Sequence, residues 1–189
     1  MQIGKLTFSP VREVLDLVAK PIQQKVRDVE INDGVYATAI DPEHADTTSF
    51  CETYDITRDI ATNCIIVEAK RADRTWYAAC LILADDMIDI NGKVRRRLDA
   101  RKISFAPKDT ALILTQMEYG GITPLGLPVE WPILIDEKIL LNNHVVVGGG
   151  IRGSKILVST KVLATLDNSY VLDIKRASNS SKALSLRLA

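Results

Sequence analysis

Tyr119-Gly120-Gly121-Ile122-Thr123-Pro124-Leu125-Gly126-Leu127-Pro128 and Gly148-Gly149-Gly150-Ile151-Arg152-Gly153 are the two segments on which the reading of this chain turns. They hold seven of its ten glycines. Glycine weakens helices and strands, and it is favoured where the backbone needs positive φ or must approach something closely. Strand-like runs, Pro132-Ile133-Leu134-Ile135 and His144-Val145-Val146-Val147, separate the two segments. The pair reads either as two lips of a binding site or as tight turns between strands, and glycine content alone leaves both open.

With 189 residues, the chain has the length of one domain with a sizeable core. We place that domain at residues 1–174 and read the serine- and cation-rich 175–189, with its weak Leu184/Leu186/Leu188 alternation, as a tail or a partner-dependent edge strand. No apolar run is long enough to span a bilayer, and the N-terminus lacks the pattern of a signal peptide. The expectation is a soluble, cytoplasmic protein with no membrane contact. Lysines and arginines balance aspartates and glutamates at 24 each, so any anionic partner must be met by a local patch. Cys51, Cys64 and Cys80 are irregularly spaced and contain no Cys-x-x-Cys, the pattern of buried thiols in a reducing compartment. With His44 and His144 the only histidines, a histidine-based metal site is not expected, and no cofactor is implied.

Along the chain, Ser9-Pro10 reads as a helix start, with Val11, Val14, Leu15 and Val18 on one face and Pro21 ending or kinking it. Val35 to Ile40 reads as a strand broken by Asp41-Pro42. A second helix starts near Asp46 and buries Phe50, Cys51 and Tyr54. The apolar runs Cys64–Val67 and Thr75–Leu83 are strands joined by a loop at 70–74. Asn91 caps a short helix to Leu98, Lys102 to Phe105 is a strand, and Ala106-Pro107 opens a helix to about Met117. After the glycine segments come a strand at Ile156–Val158, a helix capped by Thr160, and a last strand from Tyr170 to Ile174. Strands and helices alternate without regular βαβ spacing, which predicts a mixed α/β domain.

Gly148, Gly150 and Gly153 satisfy G-x-G-x-x-G, and Asp173 lies 20 residues beyond. A dinucleotide site needs a helix to begin at the third glycine. Here Ser154 to Ser159 reads as a strand, which argues against that site. No G-x-S-x-G elbow supports a serine nucleophile, and the cysteines sit in apolar patterns where a thiol is inert. Lys93, Arg95, Arg96, Arg97, Arg101 and Lys102 form a basic patch interrupted by Asp99 alone among acids. It reads either as a solvated face or as phosphate contacts to RNA. Tyr119 and Trp131 flank the first glycine segment and either stack on a base or cover core.

At the glycine segments the chain resembles the YbaK family of aminoacyl-tRNA editing domains, relatives of prolyl-tRNA synthetase modules. The family's G-G-(I/V)-x-P-x-G run is matched by Gly120-Gly121-Ile122-Thr123-Pro124-Leu125-Gly126. Its strand, G-G-x-R-G and strand sequence is matched by Val145–Val147, Gly149-Gly150-Ile151-Arg152-Gly153 and Ile156. Ile88-Asp89-Ile90 to Ile103–Ala106 resembles a further family segment. The similarity covers roughly residues 46 to 173.

The resemblance implies a mixed sheet, partly closed into a barrel and flanked by helices. It implies hydrolysis of the ester joining a wrong, small amino acid to the 3′ end of a tRNA, using water and the substrate's own ribose hydroxyl. The substrate-binding residues it implies are Gly120, Gly121, Ile122, Thr123, Pro124, Gly126, Gly148, Gly149, Gly150 and Arg152. Aminoacyl-tRNA is then the partner, with an aminoacyl-tRNA synthetase as a possible second one. The family has a substrate-orienting lysine in its first core strand, and Asn63 stands at that position here. Asparagine can donate to a carbonyl but brings no charge. Gly148 stands where some relatives carry serine, and Lys155 where some carry aspartate. The expectation is a free-standing deacylase, with a non-catalytic binding module on the same fold as the alternative.

Overall fold

The computed structural model describes residues 1–28 and 34–177. The chain opens with the ribbon β1 (Gln2–Ile3) and β2 (Leu6–Thr7), followed by β3 (Ser9–Pro10). The helix expected from Ser9 is replaced by two 3-10 turns, Val11–Glu13 and Leu15–Leu17, and the helix proper, α1, spans Lys20–Asp28. Pro21 therefore starts a helix instead of stopping one: in the first turn its missing N–H has no partner to lose. Val11 and Val18 are buried all the same, with Val14 and Leu15 packed beside them.

β4 (Val35–Ala39) leads through the 3-10 turn Pro42–His44 to α2 (Thr47–Tyr54), whose N-cap Asp46 accepts from Ser49 N at 3.0 Å. β5 (Thr62–Arg71) and β6 (Arg74–Leu83) form a long hairpin paired from Thr62↔Leu83 to Arg71↔Arg74. Its loop is only Ala72-Asp73, shorter than the sequence suggests, with Ala72 at φ +51° as a two-residue hairpin turn requires.

Asp89, not Asn91, caps the next turn, its carboxylate accepting from Gly92 N (2.9 Å) and Lys93 N (3.2 Å). A wide turn at Ile90–Val94 runs into the three-residue α3 (Arg95–Arg97). β7 (Lys102–Phe105), α4 (Lys108–Thr115), β8 (Ile133–Asp136), β9 (His144–Gly148) and β10 (Ser154–Ser159) follow. The chain then makes α5 (Thr160–Ala164) and β11 (Ser169–Leu172). Thr160 does not cap α5: its hydroxyl donates to Asn142 O at 2.7 Å.

Two sheets result. One is antiparallel with order β3-β4-β10-β9; the other is mixed with order β11-β8-β6-β5-β7, where β8 runs parallel to both its neighbours. The barrel-like closure implied by the resemblance is corrected here: neither sheet closes. They meet along a seam where Ala61 bridges Val146, Val146 N donates to Ile60 O at 2.7 Å, and the Thr62 hydroxyl donates to Val146 O at 2.8 Å.

Strand alternation splits the apolar residues between two faces. Ile66, Leu81, Ile133 and Ile135 meet Val145, Val147, Ile156 and Val158 of the other sheet and Ile22 of α1. Val67, Cys80, Ile82 and Leu134 point the opposite way, onto Ile90, Val94 and Leu98. Leu157 and Val146 pack under Phe50 and Cys51 of α2. Each such side chain contributes roughly 1.5–3 kcal/mol on burial. Among the described residues no helix is long and apolar enough to cross a membrane.

Fully buried Asp136 ties the chain's last described segment to this core, accepting from Lys138 N (3.2 Å) and Ile174 N (3.0 Å). Pairing continues past the expected boundary at 174, since Lys175 bridges Ile88 and Arg176 N donates to Met87 O. The rest of the tail, 178–189, lies outside the described residues. Asp136→Ala orphans the buried Ile174 N–H and should cost about 1–3 kcal/mol in denaturant unfolding, whereas substituting the exposed Asp167 should change it far less.

Candidate functional site

The glycine segments touch each other through main chain. Gly150 N donates to Gly121 O at 2.7 Å, and Glu118 N donates to Gly150 O at 2.8 Å. The Glu118 carboxylate returns the contact by accepting from Arg152 N at 2.7 Å. A Cβ on Gly148 would lie 2.1 Å from Gly121 O, and one on Gly121 would lie 2.8 Å from the Ile151 carbonyl. Nothing larger than hydrogen fits at either place. Arg152 clamps the pair, donating to Tyr119 O (3.3 Å) and to Pro42 O (2.8 Å) in the turn before α2.

Beside this junction, where the sheets meet, lies a cavity of about 500 Å³. Residues 62–66 of β5 form its floor, Ala45, Asp46 and Thr47 at the start of α2 close one side, and Phe105, Lys108, Ala111 and Leu112 the other. Gly120, Ile122, Gly148 and Arg152 from the glycine segments, with Tyr119 and Lys155, complete the lining. The lining cations are Lys108, Arg152 and Lys155 against the single carboxylate of Asp46, so the cavity favours an anionic or oxygen-rich ligand. Tyr119 stands exposed at the rim with the Lys108 ammonium 4.5 Å from its ring centre.

The expected site residues divide. Asn63, Gly120, Ile122, Gly148 and Arg152 are brought together on the cavity wall. Gly121, Gly149 and Gly150 sit behind it: Gly150, at φ +79°, packs on Ala19, and Gly149 on Ser154. Thr123 is fully buried, and Pro124 and Gly126 face away, near Lys25 and Asp167. None of those six lines the cavity. Trp131 is not available for stacking on a ligand: it is buried and stacks on Tyr77, ring centres 5.3 Å apart.

Thr47 Oγ1 donates to Asn63 Oδ1 at 2.6 Å, which leaves the Asn63 Nδ2 donor for a ligand. Cys64 also lines the cavity, but burial pushes its thiol up to about 12, so it is no nucleophile near neutral pH. Neither histidine lines it; the His44 ring pairs with the Ser49 hydroxyl at 2.7 Å and His144 packs edge-on to Tyr36.

Lys155 is the lining residue whose part the sequence motifs did not disclose. Its signal was a lysine inside the apolar strand Ser154-Lys155-Ile156-Leu157-Val158, directly after a glycine cluster. It is buried, donates from Nζ to Ala45 O at 2.8 Å, and stands 4.9 Å from the Phe50 ring centre. Burial drives its ammonium down to about 8, Arg152 acts in the same direction, and Cys51 and Asp46 oppose it.

The basic patch borders a groove of about 480 Å³ lined by Glu68, Lys70, Asn91, Arg95, Arg101 and Lys102 to Ser104. Two members of the patch are engaged already. Lys93 pairs with Asp173 at 2.5 Å, and Arg97 stacks 4.0 Å over Tyr170. Arg96 is exposed. Groove and cavity share strands: β5 lines the cavity with 62–66 and the groove with Glu68 and Lys70, and β7 does so with Phe105 and 102–104.

Gly148→Ala should open the junction and lower stability by about 1–3 kcal/mol in denaturant unfolding. Gly153→Ala should change it far less, because its Cβ would meet nothing nearer than 3.7 Å.

Solved structures share this fold. A candidate trans-editing enzyme for prolyl-tRNA synthetase superposes with TM-score 0.72 at 16% identity, over 84% of this chain and 96% of that one. A scaffold protein made by computational epitope grafting gives TM-score 0.72 at 18% identity, over 84% and 97%. A hypothetical protein gives TM-score 0.70 at 17% identity, over 83% and 100%. The aminoacyl-tRNA editing domain family model matches residues 41–166, from the turn before α2 to the end of α5, and so takes in both glycine segments and the cavity between them. The chain belongs to the aminoacyl-tRNA editing domain family.

Proposed function

We propose that the protein is a free-standing aminoacyl-tRNA deacylase that hydrolyses the ester of a tRNA mischarged with a small amino acid. The observation that carries this reading is the cation-lined cavity beside the glycine segments, which draws on the same two strands, β5 and β7, as the basic groove. The cavity takes the aminoacylated terminal adenosine, and the groove takes phosphates further along the strand.

Family membership supports the reaction class, and the lining chemistry agrees with it. Ester hydrolysis by water needs no protein nucleophile. Water adds to the acyl carbon, the carbonyl electrons move onto oxygen, and collapse breaks the bond to the ribose oxygen. One proton of the water ends on that ribose oxygen. The chain's part is to hold the ester and to stabilise the developing oxyanion with fixed donors. Asn63 Nδ2 is such a donor, and the rigid glycine wall fixes where the ester lies. Ala45, Ala106 and Ala111 line the cavity with little side-chain bulk, and Ile66, Leu112 and Ile122 bound the space left for the amino acid.

A panel of tRNAs charged with each amino acid tests the reading, and loss of at least one small amino acid well above the buffer rate is the expected result. Should no member lose its amino acid faster than in buffer, the protein is a binding module on this fold. Asn63→Ala should lower kcat/KM about tenfold, the worth of a neutral hydrogen bond. Arg95/Arg96/Arg97→Ala should weaken tRNA binding and flatten its salt dependence by about one unit of log–log slope for each phosphate no longer neutralised. An unchanged slope would show those arginines to be solvated surface.

A further inference from the structure

We infer that Lys155, reaching in from β10, is the cation that holds the acyl ester in this cavity. The inference rests on the deacylase reading and deepens it.

A buried ammonium has three N–H donors to satisfy, and burying it without partners is costly. Lys155 has one hydrogen-bond acceptor among the described residues, the Ala45 carbonyl, and no salt bridge. Its remaining donors have the cavity it lines as their outlet. The neighbouring charges do not neutralise it: Asp46 lies at the start of α2 and is exposed, Cys51 is a buried thiol, and Arg152 is a second cation. The Phe50 ring centre lies 4.9 Å from Nζ, a cation–π contact that adds to the Ala45 hydrogen bond without neutralising the charge.

The position is well suited to an ester. β10 sits between β4 and β9, with Lys155 paired across to Thr38 and to Gly148, so the strand is held on both sides. Gly148 has no side chain to screen the ammonium from the cavity. Asn63 stands on the β5 floor of the same cavity. An acyl carbonyl oxygen bound there meets a neutral amide donor from one sheet and a charged donor from the other. The oxyanion that forms on water attack gains more from the charged donor than the ground-state carbonyl does, which is the condition for catalysis.

Lys155→Gln separates this role from a structural one, because the amide still donates to Ala45 O but carries no charge. The probe is whichever charged tRNA the wild-type protein hydrolyses fastest. The expected result is a fall in kcat/KM on the order of a hundredfold, mostly in kcat, with the thermal midpoint unchanged or raised. In the wild type, activity above the buffer rate should fall as pH rises through about 8, because the ammonium is the working form. That limb should vanish in Lys155→Gln. Lys155→Met/Asn63→Lys, which moves the cation to the opposite wall, should recover at least part of the rate. Wild-type kcat/KM in a folded Lys155→Gln, or a fall in rate matched by a fall in thermal midpoint, would overturn the inference while leaving the deacylase reading intact. A wild-type protein that hydrolyses no charged tRNA would sink that reading and this inference with it.

Discussion

The contact on which the site depends is between two stretches of bare backbone. Gly148 lies so close to Gly121 O that a single methyl group would part them, and the Gly150 to Gly121 hydrogen bond closes the contact. Close-packed main chain has no rotamers to adjust, so the wall it makes is stiff and its position is inherited from β9 and β10. Arg152 extends that stiffness to the turn before α2 by binding Tyr119 O and Pro42 O together. One arginine thereby couples both glycine segments to the helix that closes the cavity's other side.

The cavity's location follows from the two sheets remaining open. A closed barrel would fill the space where β5 and β9 diverge with paired strands. Among the described residues they are joined at the short seam of Ile60, Ala61 and Thr62 with Val146, and the cavity lies beside it. Residues from both sheets then converge on one space, Asn63 from β5 and Lys155 from β10. A buried lysine is a burden on the folded state, since the unfolded chain hydrates the same ammonium freely. The role proposed for Lys155 in holding the ester would account for that burden.

Much of this was legible in the sequence where local pattern and tertiary demand agree. Asp46 caps α2, the apolar runs of β5 and β6 form a hairpin, and the clustered glycines mark backbone held at close quarters. Reading failed where one residue type serves opposite ends of an element. Pro21 starts a helix as readily as it stops one, and only the pairing of Ser9 and Pro10 with β4 settles which. Trp131 beside a glycine segment was open to ligand stacking or, more often for such a residue, to core, and Tyr77, a strand away, claims it for the core. Linear order also concealed which glycines face the cavity, because Gly121 and Gly148 press against one another from segments far apart in the chain. Lys155 was visible only as a departure from relatives that carry aspartate there; that it is buried under α2 and lines the cavity is a tertiary fact.

A recognition surface built from main chain is indifferent to side-chain exchange around it. Ala45, Ile66, Ala111 and Leu112 belong to three separate elements and meet only at the cavity, while the glycine wall opposite them keeps its shape whichever residues they become. Enlarging or shrinking any one of them alters the room in the cavity and leaves the main-chain wall untouched. Under the proposed function, such a division would let single substitutions retune which amino acid fits, with the fixed half serving as the gauge against which the variable half is cut.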